Sequence, residues 1–345
     1  MKRYLIAWLF SLLFVSCQEK AQELKVMQFN IWQEGTVVEG GFPAIVEHIY
    51  SLQPDLVTFS EVRNYEGVSF IPKLLDALKE RGVIYYGEES VSTGIISKFP
   101  IEKQEIVYPL KNDRGSVIKA VIPYGGKQIM LYSAHLDWLN CSSYLPRGYH
   151  SSTWEKLEEP VLDLDSILRD NRLSFRDDEI QAILDDIQKH KQEGNLILIG
   201  GDFNEPSHLD WQANTAQIRD HHGLVINWDC SVMLEKFGLI DCYREIYPDP
   251  VAYPGFTFPS NNLRVPLNKL VWAQDSDERE RIDFIYYQPT SGVKLKDAII
   301  VGPKGNVLKG ELIDQDPDGN DPFIEPIGTW PTDHKALLVT FAISH

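Results

Sequence analysis

The stretch Leu196-Ile197-Leu198-Ile199-Gly200-Gly201-Asp202-Phe203-Asn204 constrains the fold most: an apolar run that reads as a buried strand, closed by two glycines and then a carboxylate and a carboxamide two residues apart. A second such stretch comes far downstream, where Thr332-Asp333-His334 precedes the apolar run Ala336 to Phe341. A sheet holds polar groups at its strand ends rigidly while leaving them open to solvent, which suits acids, bases and metal ligands. The two clusters therefore point to chemistry rather than to binding alone.

The intervening sequence supplies both helical and strand periods. Glu23 to Phe29 alternates apolar and polar residues and stops at Asn30. Pro43 opens a helix with Ile45, Val46 and Ile49 on one face that ends near Pro54, and Leu56 to Phe59 is a short strand ending at Ser60-Glu61. Ile71, Leu74, Leu75 and Leu78 mark a second helix, stopped by Gly82. Strands are then expected at about 83–87, 93–97, 104–109, 117–122 and 127–134. Residues 138–175 are irregular; Ile180, Ile183, Leu184 and Ile187 mark a third helix that ends near Gly194, directly before the strand at 195–200. A further helix is expected within 225–237, mostly loop over 243–281, and strands at 282–287, 297–301 and 335–342. Strand runs separated by helices imply an α/β architecture of sheets packed together and covered by helices outside.

The N-terminus reads as a targeting segment: Lys2 and Arg3, the apolar run Tyr4 to Val15, then Ser16 before Cys17. Phe14-Val15-Ser16-Cys17 resembles a bacterial lipobox, which implies a signal peptide over 1–16, lipidation of Cys17, and a polar tether over 17–23 leading into one domain over 24–345. That places the protein outside the cytoplasm, anchored in the cell envelope at an outer membrane or cell surface. The chain carries 33 basic and 50 acidic residues, a formal net charge of −17, and losing Lys2 and Arg3 makes it more acidic. Such a balance argues against a broad basic surface tracking long nucleic acid, although bound metal ions can supply local positive charge. Export permits disulfides; Cys230 with Cys242 is the favoured pair, with Cys141 left over. A zinc site drawing on His221 and His222 is disfavoured by ligand spacing.

Five strand ends carry the same kind of polar residue: Asn30; Glu61; His135 with Asp137; Asp202 with Asn204; Asp333 with His334. Each alone is explained by a turn, a solvated end or a satisfied core histidine. Jointly they form an oxygen-rich donor set without thiolates, suited to a hard ion such as Mg²⁺, Mn²⁺ or Ca²⁺ and to metal-assisted phosphoryl transfer.

In this order, Phe29-Asn30-Ile31-Trp32, Phe59-Ser60-Glu61-Val62, Ser133-Ala134-His135-Leu136-Asp137, Gly201-Asp202-Phe203-Asn204, Arg281-Ile282-Asp283-Phe284-Ile285 and Thr332-Asp333-His334 resemble the endonuclease/exonuclease/phosphatase superfamily across residues 24–342. The resemblance implies a four-layer α/β/β/α sandwich of two mixed sheets, with the active site at one end. It makes Glu61 the principal ligand of a divalent metal, with Asn30 beside it and Asp333 a second ligand or outer carboxylate. Asp202 would deprotonate the attacking water, helped by Asn204; His334, oriented by Asp283, would stabilise the phosphate; His135 would stand near the leaving group. Trp32 departs from the acidic residue that abasic-site repair nucleases carry two places after the Asn, which argues against DNA repair. Pro206-Ser207-His208-Leu209-Asp210-Trp211 after the Asp202 motif resembles a secreted bacterial subgroup.

Substrate choice falls to variable segments. Trp138 to Tyr149 is a candidate lining of the site, with Arg147 for an anionic group and Tyr149 among its aromatics; Arg114 is a second phosphate-binding candidate. The resulting expectation is an exported, lipid-anchored, metal-dependent phosphoesterase acting by direct water attack on a small organophosphate or lipid head group, with no obligate protein partner. The alternatives are an extracellular nuclease cleaving DNA or RNA and a binding lipoprotein without catalysis. A serine hydrolase is disfavoured, since no Gly-x-Ser-x-Gly elbow occurs.

Overall fold

The computed structural model describes residues 21–190, 194–317 and 319–344. The expected leader and Cys17 lie outside the described residues, and no helix among these is long and apolar enough to cross a membrane.

Two six-stranded mixed sheets pack face to face. The first has the order β13 (Phe323–Ile324), β10 (Val293–Val301), β14 (Ala336–Ile343), β1 (Gln22–Asn30), β2 (Leu56–Val62), β3 (Ser92–Ser97). The second runs β4 (Lys103–Tyr108), β5 (Ser116–Tyr124), β6 (Lys127–His135), β7 (Leu196–Asp202), β9 (Asp283–Tyr287), β8 (Ile240–Asp241). Side chains alternate across each strand, and the sequence obeys that period of two. Val26, Leu56 and Val339 enter the inter-sheet core, whereas Met27, Val57 and Leu338 point outward to α1 (Gly41–Leu52) and α2 (Phe70–Glu80). On the other side, Met130, Ile197 and Phe284 meet α4 (Arg176–His190) and α5 (Asp229–Phe237). The result is the expected α/β/β/α sandwich.

The paired glycines have a packing cause. A Cβ on Gly200 would lie 2.2 Å from Thr58 Oγ1 of the opposite sheet, and one on Gly201 would lie 2.4 Å from the Ala134 carbonyl. Bare backbone at both positions lets β7 approach its neighbours closely enough for Asp202 to meet residues of β1.

Several elements differ from the sequence reading. The expected strand at 83–87 is reduced to one bridge, Tyr86 with Ser97. The irregular and loop stretches hold α3 (Leu164–Asn171) and α6 (Cys242–Ile246), and the segment between the strands expected at 297–301 and 335–342 holds the ribbon β11 (Asn306–Leu308) with β12 (Glu311–Ile313), all too short to show a period. The favoured disulfide is absent: Cys141, Cys230 and Cys242 are free thiols. Cys230 packs under the outer helices and Cys242 in the inter-sheet core, so the second sheet separates them.

Candidate active site

Register brings the polar strand ends together. β1 and β2 run parallel with Asn30 opposite Ser60, and β6 and β7 run parallel with His135 opposite Asp202. β9 is antiparallel to β7 and begins at the same end, so Asp283 faces Asp202. The turn before β14 delivers Asp333 and His334 to that edge. Glu61 is re-aimed by a bulge between Ser60 and Val62, where its backbone takes the left-handed φ of 70°. A non-glycine residue held there costs free energy, a pattern concentrated at functional sites.

Asn30 bridges the two sheets. Its amide nitrogen donates to Asp202 Oδ2 at 2.9 Å and to Glu61 Oε1 at 3.2 Å, while its oxygen accepts from the Trp32 N–H at 2.9 Å. With its nitrogen shared by two carboxylates, Asn30 ties Glu61 to Asp202, while the second lone pair of its oxygen stays open to an ion or its water. Asp202 also accepts from the Asn204 N–H at 2.9 Å, and the Asn204 amide donates to the Leu136 carbonyl at 2.9 Å.

His334 is the centre of the charge array. Its Nδ1 lies 2.8 Å from Asp283 Oδ2, its Nε2 lies 3.9 Å from Asp202 Oδ2, and the Phe258 ring packs 5.0 Å away. Burial opposes the imidazolium, yet Asp283 and then Asp202 and Asp333 overcome it and lift the ring to about 10. Burial and the Asp283 charge push Asp202 up to about 7. His135 behaves oppositely: burial, the Arg63 charge and the His334 charge hold it down near 3. Its Nδ1 is 3.0 Å from Ser92 Oγ. The surroundings of each ring thus favour the charged form of His334 and the neutral form of His135.

The residues fit a divalent cation. Asp333 is buried and pushed up to about 7, chiefly by burial and, beyond the opposing pull of His334, by the Glu61 charge. A cation held by Glu61 and Asp333 would relieve that repulsion, and oxygen donors alone suit a hard ion. Asp202, Asp283 and His334 also lie within ligand distance of one another, with His334 Nδ1 already bonded to Asp283 and Nε2 facing Asp202.

Residues 27–334 match the model of the Endonuclease/Exonuclease/phosphatase family. The chain belongs to that family. Its class of chemistry is divalent-metal-dependent hydrolysis of phosphate esters. An uncharacterized protein of Caenorhabditis elegans is 31% identical over 275 residues, 77% of this chain and 78% of that one. Among solved structures, Danio rerio TDP2 complexed with single-strand DNA product is similar at 16% identity and TM-score 0.52, over 92% of this chain and 98% of that one. The human Nocturnin catalytic domain with bound sulfate is similar at 16% identity and TM-score 0.50, over 93% and 94%. A Bacteroides thetaiotaomicron family protein is similar at 12% identity and TM-score 0.51, over 94% and 100%. At such identities these structures bear on the fold alone.

The family site opens into a pocket of roughly 270 Å³ that Glu61, His135, Asp202, Asn204, Asp333 and His334 all line. Of the segment after His135, Trp138, Cys141, Ser143 and Tyr144 reach it. The three substrate-binding residues expected from sequence do not. Arg114 forks onto Asp137 at 2.9 and 2.5 Å and lies over Phe175. Arg147 is buried, 2.7 Å from Glu280 and over Trp211. Tyr149 is buried, its hydroxyl accepting from the Asp275 N–H at 3.2 Å. Each answers a structural charge or donor, and sequence offers no way to see that partner. Sequence reasoning missed Arg63, two residues after Glu61, which reaches the pocket and pairs with Asp113 at 2.5 Å. It also missed Trp154, Trp272 and Glu278. In the subgroup-like segment, Asp210 clamps Arg281 at 2.8 Å and Arg244 at 2.5 Å, and the Trp211 indole donates to Glu280. Asp210 thereby braces the strand carrying Asp283, and of this segment Pro206 alone lines the pocket.

Proposed function

We propose that this protein is an exported, lipid-anchored phosphoesterase that hydrolyses a small organic phosphate ester by direct attack of water. One observation carries the catalytic part: His334 stands 2.8 Å from Asp283 and 3.9 Å from Asp202, an array of carboxylates that favours its imidazolium, next to the Glu61–Asp333 pair. Glu61 and Asp333 would hold the divalent ion, Mg²⁺ or in its place Mn²⁺ or Ca²⁺. When bound it supplies positive charge to the phosphate and its attacking oxygen. Asp202 Oδ2 receives the proton of the attacking water, with Asn30 and the Asn204 N–H fixing its orientation. The His334 imidazolium hydrogen-bonds the anionic oxygen that gains charge in the transition state, and Asp283 fixes its tautomer. His135 completes the grip on the phosphate.

Cleavage after Ser16 and acylation of Cys17 would tether the domain through residues 18–23, at an outer membrane or cell surface. Membership of the secreted bacterial subgroup rests on Pro206 to Trp211. Nucleic acid is the less favoured substrate, because Arg63 is the one lysine or arginine of the pocket among the described residues and Asp113 already partners it.

The test is a panel of phosphomonoesters, phosphodiesters, phospholipids and DNA with Mg²⁺, Mn²⁺ or Ca²⁺, run on wild type, Asp202→Asn and His334→Ala. Hydrolysis that needs metal and falls at least about a hundredfold in both variants is expected; equal rates in the variants would refute the assignment. Cys17→Ser should release the protein from membranes into the soluble fraction, and retention would refute lipidation.

A further inference from the structure

The wall of the pocket away from His334 is built of indoles. Trp138 and Trp154 lie parallel, 8° apart with centroids at 6.0 Å, and Trp154 meets Trp272 at 4.6 Å and the edge of Tyr144 at 6.4 Å. The arrangement is held deliberately. Trp154 sits at φ 55° in a tight turn tied by the Tyr149–Lys156 bridge, a conformation that bulky residues avoid. The carboxylate of Glu278, itself buried, accepts from the Tyr144 hydroxyl at 3.0 Å, the Trp272 N–H at 3.1 Å and the Ala273 N–H at 3.1 Å. One acid thus fixes two members of the wall and reaches the pocket beside them. The Trp138 indole N–H is spent on the Asp113 carbonyl at 3.0 Å.

Charge narrows the occupant. The pocket is lined by the carboxylates of Glu61, Asp113, Asp202, Glu278, Glu280 and Asp333, against the guanidinium of Arg63 and the imidazolium of His334, and the divalent ion proposed above would answer Glu61 and Asp333. Arg63 is tied to Asp113, and Glu280 is answered from behind by Arg147. Glu278 makes no ion pair among the described residues, and burial pushes its carboxyl up to about 7 against the pull of its three donors and of the Arg147 charge. Shape narrows it further. A planar ring slipped between two indoles needs about 7 Å, two contact distances of about 3.5 Å. Neither the 6.0 Å nor the 4.6 Å gap admits one, and Trp272 is 49% exposed with the pocket in front of it. Indole faces beside an acid that has no ion partner attract a compact organic cation, whose charge in turn favours the ionised form of that acid.

We propose that Trp138, Tyr144, Trp154 and Trp272, with Glu278, form a subsite for an ammonium-bearing group of the substrate, a quaternary or fully substituted amine esterified through its alcohol to the phosphate held at His334. This rests on the phosphoesterase reading above and names the substrate class for it. The group is bound through its charge and methyl surface, so an uncharged alcohol of equal size binds more weakly.

The subsite is tested without relying on turnover. Tetramethylammonium and choline are titrated into the metal-loaded protein, following indole fluorescence and calorimetric heat, with neopentyl alcohol as the uncharged match and adenosine monophosphate as the planar one. Saturable binding of both cations, absent for neopentyl alcohol, is expected. The affinity should fall about tenfold in Trp272→Ala, fall in Glu278→Gln and be largely kept in Trp272→Phe. Unchanged affinity in Trp272→Ala, or adenosine monophosphate quenching the indoles more tightly than choline, would overturn the proposal. In parallel, 4-nitrophenyl phosphorylcholine and bis(4-nitrophenyl) phosphate are compared as substrates; choline binding without hydrolysis of either upholds the subsite and refutes the phosphoesterase reading. Hydrolysis of both without choline binding does the reverse.

Discussion

Replacing Asp283 by Asn tests the centre of the site most directly. Asp283 is fully buried, its Oδ2 lies 2.8 Å from His334 Nδ1, and Gln28 Nε2 lies 3.4 Å from its other oxygen. The amide keeps the volume and removes the charge. Leaving one member of a buried ion pair without its partner costs about 3–5 kcal/mol, and that cost falls on the imidazolium but not on the neutral ring. At about 1.4 kcal/mol per unit, a lift to about 10 should collapse by two units or more, to below 8. If the imidazolium is what stabilises the phosphate, the same 3–5 kcal/mol appears in the barrier, a loss of about a hundredfold or more in kcat. The assay is kcat against pH from 6 to 10.5 on one soluble phosphodiester. Wild type should hold its rate until the alkaline limb near 10, while Asp283→Asn should lose its residual rate by about pH 8. Stability carries the same sign. Because the folded pKa of His334 is raised above its ordinary 6.5, the pair's contribution is complete below about 6.5 and lost as pH climbs through about 10, so the variant's Tm deficit should shrink at pH 10.5. An alkaline limb that stays near 10 in the variant would refute the role given to Asp283.

Three further outcomes are expected. Glu61→Gly should abolish metal-dependent hydrolysis and calorimetric metal binding yet leave Tm equal or higher, because glycine relieves the left-handed φ of 70°; a lower Tm would show that the carboxylate stabilises the fold. Glu179 is buried, accepts from the Asp137 N–H at 2.9 Å, and is pushed by burial from an ordinary 4.5 up to about 8. A raised carboxyl pKa makes the unfolded chain ionise first, so stability falls as pH rises from about 4.5 to about 8 and is level beyond, by at most about 5 kcal/mol. Glu179→Gln, compared with wild type by urea unfolding at pH 5 and pH 9, should lose much less, and parallel losses would refute this. Cys230 and Cys242 should react with a thiol reagent without reductant only after denaturation, since both are free and buried; failure to react once unfolded would reveal a disulfide.

What the sequence discloses here follows the range of the interactions involved. The strands of the core and the polar strand ends that line the pocket were legible because each depends on local pattern: Val26 against Met27 for the two faces of β1, Gly200-Gly201 for close approach, and a polar residue where each apolar run stops. The failures share the opposite property. Arg114, Arg147 and Tyr149 have the chemistry of phosphate or ring binders, and only their distant partners, Asp137, Glu280 and Asp275, reveal them as internal braces. The indole wall was hidden for the same reason, because Trp154 and Trp272 stand 118 positions apart and are joined at 4.6 Å only by the fold.

The same division accounts for how chemistry and specificity are separated in this molecule. Asn30, Glu61, Asp202 and His334 sit on strands or on the turns directly joined to them, where two packed sheets fix every backbone position. The indoles sit on loops that leave that edge: Trp138 and Trp154 after β6, and Trp272 before β9. Loops can change length and sequence without disturbing the sheets, whereas a shift of one residue in β7 would turn Asp202 away from Asn30. A substitution at Trp272 should therefore alter which ester is cleaved, and a substitution at Asp202 whether any is.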